Sequence, residues 1–201
     1  MFASPVIAEE LILCDDPTIH AAVMQTLSRF GTGALNFAYR AGMRVVPLKS
    51  AEHYSHRSSA LRRLRVDVDS WAAPPAGLFV VEEKTVYLRS RSSMTVAHEF
   101  GHAIDCALGG GVYRSTIDSN IQCMFRKAGE FVTPYAATAV DEYFAESLRA
   151  YVESNDPKSL WPRATRARLR ALDRDMFDFI NDLFANELSL PIGTARTDCP
   201  N

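Results

Sequence analysis

The sequence predicts an α+β fold in which a small mixed sheet, with a hairpin, packs on one central helix and a helical C-terminal half follows. Two runs rich in β-branched and aromatic residues, 78–81 and 85–88, flank a polar turn and predict the hairpin. Apolar residues recur at helical spacing through 96–107 and predict the central helix. Beyond residue 115 the apolar residues follow helical spacing in longer segments, which predicts the helical half.

Length and composition fit one globular domain over residues 1–201, with a loose tail at 190–201. Hydrophobic residues make up 47% of the chain and charged residues 23%, which is ordinary for a globular protein. A net charge of −2 gives no general attraction to nucleic acid or to an anionic membrane, so neither is expected as a partner. The four cysteines form no Cys-x-x-Cys pair, so a zinc ribbon is not indicated.

The first residues carry no basic segment followed by a long apolar run, because Glu9 and Glu10 interrupt the one candidate. We therefore expect a cytoplasmic protein, or one exported by a route without a recognisable signal peptide. Further along, Asp16 and Pro17 predict the start of a helix over 17–30 that Gly31 and Gly33 end. Segment 43–48 predicts a first strand, and segments 115–129, 141–154 and 163–188 each predict a helix.

The central helix carries the motif His98-Glu99-x-x-His102. At 100° per residue the two histidines lie about 40° apart and one turn from each other. Two imidazoles on one face can hold one zinc ion, and Glu99 is placed to serve a metal-bound water. The ordinary alternative is a helix whose histidines only form hydrogen bonds. We favour the zinc interpretation, and with it a zinc-dependent peptidase.

A catalytic zinc usually has three protein ligands and one position for water. The position six residues after the second histidine, where one common pattern has its third ligand, is Leu108. Asp105 shares the histidine face, but as a third ligand from the next turn it would distort a tetrahedral site. It either accepts the free N–H of a ligand histidine or is ordinary helix polarity, and both interpretations remain open.

A better source of the third ligand is the predicted helix over 141–154, where Glu142 and Glu146 lie one turn apart, opposite the apolar stripe. Two like charges at that spacing destabilise an isolated helix by about 0.2–0.5 kcal/mol. Arg149 and solvent can offset this repulsion. Alternatively, one carboxylate binds zinc while the other accepts a hydrogen bond from a ligand histidine. We favour the second interpretation.

From residue 78 to 184 the chain resembles the catalytic domain of anthrax lethal factor and its relatives, the Pro-Pro endopeptidases, which are gluzincin-type zinc metallopeptidases. The resemblance is carried by His-Glu-Phe-Gly-His-Ala-Ile-Asp at 98–105, by Tyr135, and by Glu-Tyr-Phe-Ala-Glu at 142–146. It implies a zincin-like fold. It also implies that Glu142 is the third zinc ligand, that Glu146 supports a ligand histidine, and that Tyr135, seven residues before the ligand, stabilises the transition state.

The resemblance therefore implies an endopeptidase that uses one zinc ion, a protein or peptide substrate and a zinc-activated water. In it, Glu99 acts as general base and Tyr135 stabilises the oxyanion. One alternative is an intracellular regulatory zinc peptidase that acts on a repressor-type protein. The 40 residues between His102 and Glu142 are long for that class, and Tyr135 disfavours it. The other alternative is a zinc-stapled, non-catalytic interaction module, against which Glu99 argues because a structural site needs no base.

Overall fold

The computed structural model describes residues 10–159 and 163–189, and the predicted α+β fold with a small mixed sheet is confirmed. In the described residues a three-stranded sheet has the order β1-β3-β2, where β1 is Arg44–Pro47, β2 is Gly77–Val80 and β3 is Thr85–Leu88. Strand β3 runs parallel to β1 and antiparallel to β2. The predicted loose tail and the residues around Glu9 lie outside the described part of the chain.

Two helices precede the sheet in the chain, α1 (Pro17–Leu27) and α2 (Gly31–Arg40). The Asp16 carboxylate caps α1 by accepting hydrogen bonds from the backbone N–H groups of Thr18 and Ile19. The prediction that Gly33 helps to end a helix is wrong, because Gly33 lies inside α2. Its missing side chain has a packing role, since a Cβ there would lie 2.4 Å from the carbonyl oxygen of Leu188.

Both faces of the sheet are covered, because successive residues of a strand point to opposite sides. The side chains of Val45 and Val86 join the main hydrophobic core. Val46 and Tyr87 belong to a second, smaller core on the other face. Short helices α3 (Tyr54–Arg57) and α4 (Ser59–Leu64) contribute to that second core.

The central helix, α5, spans Ser93–Leu108. Its predicted apolar side is fully buried at Val96, Phe100 and Ile104, which fixes the rotation of the helix about its axis. Gly101 faces Ala145 on a later helix, α8, and a Cβ at Gly101 would lie 3.0 Å from the Ala145 Cα atom. This close approach brings the histidine face of α5 against α8.

The C-terminal half is helical, with α6 (Arg114–Ile117), α7 (Ser119–Lys127), α8 (Val140–Tyr151), α9 (Arg166–Leu172) and α10 (Arg174–Asp182). A π-helical turn, Leu183–Glu187, follows α10. The single helices predicted over 115–129 and 163–188 are each divided in two. The divisions fall at Asp118 and Asp173, where the backbone leaves the helical conformation and the carboxylate caps the helix that follows.

Candidate metal centre

Helices α5 and α8 bring together the three predicted metal ligands, His98, His102 and Glu142. The Nε2 atoms of the two histidines are 3.2 Å apart. Glu142 Oε2 lies 3.1 Å from the Nε2 atom of His98 and 3.3 Å from that of His102. The three atoms therefore form a nearly equilateral triangle, made by one turn of α5 and the facing side of α8.

The size of this triangle matches a tetrahedral zinc site. Zinc binds histidine nitrogen and carboxylate oxygen at about 2.0–2.2 Å, so two ligand atoms of a tetrahedral site lie about 3.3 Å apart. Glu142 Oε2 is also buried without a hydrogen-bond partner among the described residues. A buried carboxylate oxygen without a donor is costly unless a cation is bound beside it. The donor set and its spacing therefore fit one divalent metal ion.

Glu146 lies one turn after Glu142 on α8 and contacts the other side of the first histidine. His98 Nδ1 is 3.0 Å from Glu146 Oε1. When Nδ1–H donates to this carboxylate, the lone pair of Nε2 is directed at the other two predicted ligands. Burial opposes charge on His98, but the neighbouring carboxylates of Glu142 and Glu146 outweigh it and raise the pKa of His98 to about 10.

The Glu146 carboxylate is buried and accepts several further hydrogen bonds. Arg149 donates to both of its oxygens, each at 2.7 Å, and the Thr133 hydroxyl donates to Oε2 at 2.6 Å. Burial opposes ionisation of Glu146, but Arg149 and His98 outweigh it and lower its pKa to about 2. Arg149 is only 1% exposed and also donates to the carbonyl oxygen of Ser154. The carboxylate that orients His98 is therefore ionised and held in one position.

Asp105 does not support a ligand histidine, so that interpretation of its position is wrong. The backbone N–H and the hydroxyl of Ser115 donate to the two Asp105 oxygens at 2.9 Å and 2.5 Å. The Nδ1 atom of His102 is buried and has no hydrogen-bond partner among the described residues. Asp105 instead joins α5 to the start of α6, and burial raises its pKa to about 6 despite the hydrogen bonds from Ser115.

Glu99 is partly buried at a cleft of about 370 Å³ beside the metal centre. Pro75, Met94, Thr95 and Tyr135 also line this cleft. Burial raises the pKa of Glu99, while the two neighbouring histidines and the backbone N–H of Phe79 oppose the rise. A carboxylate with a raised pKa is a stronger base than an ordinary glutamate, and at the wall of a cleft it can accept a proton from a bound molecule.

Tyr135 lies in a 3₁₀ turn just before α8 and faces the same centre. Its hydroxyl donates to Glu142 Oε1 at 3.1 Å, and its ring centroid is 5.4 Å from that of His98. The side chain is 40% exposed, so a molecule in the cleft can reach it. Burial, together with the charge of Glu142, raises its pKa. The hydroxyl is therefore protonated at neutral pH and available as a hydrogen-bond donor.

The charges of the centre also favour a divalent cation. Glu99, Glu142 and Glu146 bring three carboxylates to this region, and Arg149 is the guanidinium that pairs with one of them. Metal binding requires neutral histidines, and two negative charges are then uncompensated in a partly buried site, which is unfavourable. One divalent ion would neutralise them.

Two contributors to the centre were not singled out from sequence. Thr133 lies in a loop, and nothing in its spacing connects it to Glu146. Gly77 faces Glu99 from strand β2, where a Cβ would lie 2.5 Å from the Glu99 Cγ atom. A glycine that directly precedes the apolar strand run was the available signal, since a strand glycine often marks a close approach.

Comparisons with known proteins identify the fold and leave the sequence without a match. No protein family matches the sequence, and neither does any curated protein. Among solved structures the chain shares its fold with an endopeptidase. That structure is the Pro-Pro endopeptidase from Paenibacillus alvei, with a TM-score of 0.64, 19% sequence identity, and coverage of 88% of this chain and 99% of that chain. The fold is therefore that of a Pro-Pro endopeptidase, while the resemblance to lethal factor stays a prediction. No helix within residues 10–159 and 163–189 is long and apolar enough to cross a membrane.

Proposed function

We propose that the protein is a zinc-dependent endopeptidase. The observation that carries this proposal is the triangle of His98 Nε2, His102 Nε2 and Glu142 Oε2, with sides of 3.1–3.3 Å, beside a cleft that Glu99 and Tyr135 line. The shared fold with a Pro-Pro endopeptidase supports the same conclusion. A zinc ion held by the three ligands would polarise a peptide carbonyl and lower the pKa of a bound water to about 7.

The residues at the cleft would carry out the remaining steps of peptide hydrolysis. Glu99 takes the proton of the attacking water and delivers it to the amine that leaves. Tyr135 turns its hydroxyl from Glu142 to the carbonyl oxygen of the substrate as negative charge develops there. Glu146, held by Arg149, keeps the Nδ1 proton on His98, so that Nε2 remains a metal ligand.

Strand β2 provides the surface along which we propose that an extended peptide binds. The outer edge of β1 is already paired, because the backbone of Val45 exchanges hydrogen bonds with Leu11 and Leu13. Strand β2 is the opposite edge of the sheet, and its first residue, Gly77, lines the cleft. A substrate can pair with such an edge as one more strand, which holds it without demanding a particular sequence.

The carboxylate at Glu99 favours catalysis over a zinc-stapled interaction module. A structural zinc site has four protein ligands and no need of a general base. Among the described residues the possible ligand group has three members, and one of them, His98, also lines the cleft. Metal analysis combined with a cleavage assay distinguishes the two functions.

The test combines metal analysis with cleavage of a randomised peptide library. We expect the purified protein to hold one zinc ion and to cleave the library, with chelation abolishing cleavage. Glu99→Gln is expected to retain zinc and to lower kcat/KM by about 10²–10⁴-fold, because it removes the base but no ligand. Zinc binding without cleavage in the wild type would favour the interaction module. Full activity in Glu99→Gln would show that another group is the base.

The third ligand is tested separately with Glu142→Ala and a matched exchange elsewhere on α8. Removing a ligand oxygen is expected to abolish stoichiometric zinc binding, which competition with a chelator measures. Asp141→Ala removes a neighbouring carboxylate outside the triangle and is expected to leave zinc affinity unchanged. If Glu142→Ala binds zinc as tightly as the wild type, the ligand set is wrong.

A further inference from the structure

Strand β2 passes unusually close to the side chain of Glu99. A Cβ built on Gly77 would lie 2.5 Å from the Glu99 Cγ atom, 3.0 Å from its Cδ atom and 2.8 Å from the Thr95 Cγ2 atom. Glu99 and Thr95 are one turn apart on α5, so their side chains form a notch and Gly77 lies in it. No side chain larger than hydrogen fits there without displacement of a neighbour.

Backbone conformation does not explain the glycine. Gly77 has no positive φ angle, in contrast to Gly31, Gly42, Gly110 and Gly111. An alanine could adopt the same backbone conformation, so the requirement is for space. Phe79, two residues further along the strand, directs its backbone N–H at the same Glu99 carboxylate. The strand therefore meets Glu99 at two positions, the Cα atom of Gly77 and the backbone N–H of Phe79.

We propose that Gly77 is the positioning residue for the general base: it lets β2 lie against Glu99, so that the strand that receives the peptide also fixes the base. The inference rests on the proposed function. The three atoms nearest to a Cβ at Gly77 belong to Glu99 and Thr95 and not to a predicted metal ligand, so Gly77 acts on the placement of the base and leaves the metal in place.

The kinetic test is Gly77→Ala, with Gly129→Ala as the matched control because a Cβ at Gly129 meets nothing within 4 Å. We expect Gly77→Ala to retain wild-type zinc content and to lower kcat by about 100-fold, since a displacement of about 1 Å has an effect of that size. KM is expected to change less than about threefold, and the control to match the wild type. A loss confined to KM would mean that Gly77 serves the peptide rather than the base, and would overturn the proposal.

A second test needs no activity and separates this inference from the proposed function. Gly77→Ala is expected to lower Tm by about 3 °C, because a methyl group inserted between packed atoms forces its neighbours to move. On a background of Glu99→Ala and Thr95→Ser, which empties the notch, the same exchange is expected to lower Tm by less than half as much. An equal shift on both backgrounds would show that the contact does not exist. If the wild type cleaves no peptide, the proposed function fails, and this comparison still decides the contact.

Discussion

Two carboxylates on opposite sides of the sheet are stabilised in different ways. Glu146, between α5 and α8, is held by the Arg149 guanidinium and by His98. Glu83, in the turn between β2 and β3, accepts hydrogen bonds from the Ser59 hydroxyl and from the first backbone N–H groups of α4. Both pKa values are lowered to about 2 even though burial opposes ionisation of each.

The two carboxylates differ in the further contacts that their oxygens make. The second oxygen of Glu83 accepts a hydrogen bond from the Tyr87 hydroxyl at 2.9 Å, so its hydrogen-bond partners lie on α4 and β3, two elements that contribute to the smaller core. Glu146 also contacts a predicted metal ligand. A full cation fixes Glu146 inside the protein, whereas partial charges at a helix terminus are enough for a half-buried group. We infer that Glu146 serves the metal centre and Glu83 serves folding.

The largest expected effect comes from removing the Arg149 guanidinium. Arg149→Met leaves the Glu146 carboxylate buried without its main partner, and the free energy of unfolding of the metal-free protein is expected to fall by about 3–5 kcal/mol. Denaturant titration measures this change. Arg149→Lys keeps the charge but loses the two parallel hydrogen bonds and is expected to lose less. Equal stability of all three proteins would show that Arg149 does not hold Glu146.

A smaller effect is expected when the carboxylate itself becomes neutral. Glu146→Gln weakens the hydrogen bond that orients His98, and changes of this kind lower metal affinity by about 10–100-fold. Competition with a chelator measures the affinity, and Glu83→Gln is the matched control on the other side of the sheet. We expect the control to bind zinc as the wild type does. A similar loss in both variants would remove the functional distinction between the two carboxylates.

Positions within one helix could be predicted from the sequence, whereas contacts between separate elements could not. Helical periodicity relates residues three or four apart, so the placement of Glu142 and Glu146 on one face followed from spacing alone. Long-range contacts have no such signal. The hydrogen bond from Thr133 to Glu146, and the contact between Gly77 and Glu99, depend on how separate elements pack. Asp105 was ambiguous because its helix face was predictable, while its partner, Ser115, belongs to another helix.

The division of the C-terminal helices could not be predicted from periodicity either. The apolar stripe continues across Asp118 and Asp173, so the pattern alone favours one helix in each case. The competing signal is local, since an aspartate can leave the helix and cap the next one. In the structure each of these carboxylates accepts a hydrogen bond from a backbone N–H group of the helix that follows. At both positions the aspartate cap separates two helices although the apolar pattern continues.

The exchange Glu83→Gln is expected to change stability without changing activity. The amide keeps one acceptor oxygen but loses the charge that favours the start of α4, so the free energy of unfolding is expected to fall by about 1 kcal/mol at pH 7. Peptidase kinetics and zinc affinity are expected to match the wild type, because none of the Glu83 partners lies at the metal centre. A loss of activity at full zinc content would connect the smaller core to catalysis.

The smallest expected effect is the pH dependence of that same variant. The folded protein holds the pKa of Glu83 at about 2, below the ordinary value of 4.5. The unfolded state therefore binds more protons than the folded state between these two values, and stability must fall as the pH falls through this range. The glutamine variant cannot bind this proton, so its stability should decline less steeply between pH 4.5 and pH 2. The two proteins should accordingly approach equal stability near pH 2, and a difference that stays constant with pH would mean that charge at Glu83 has no part in holding α4.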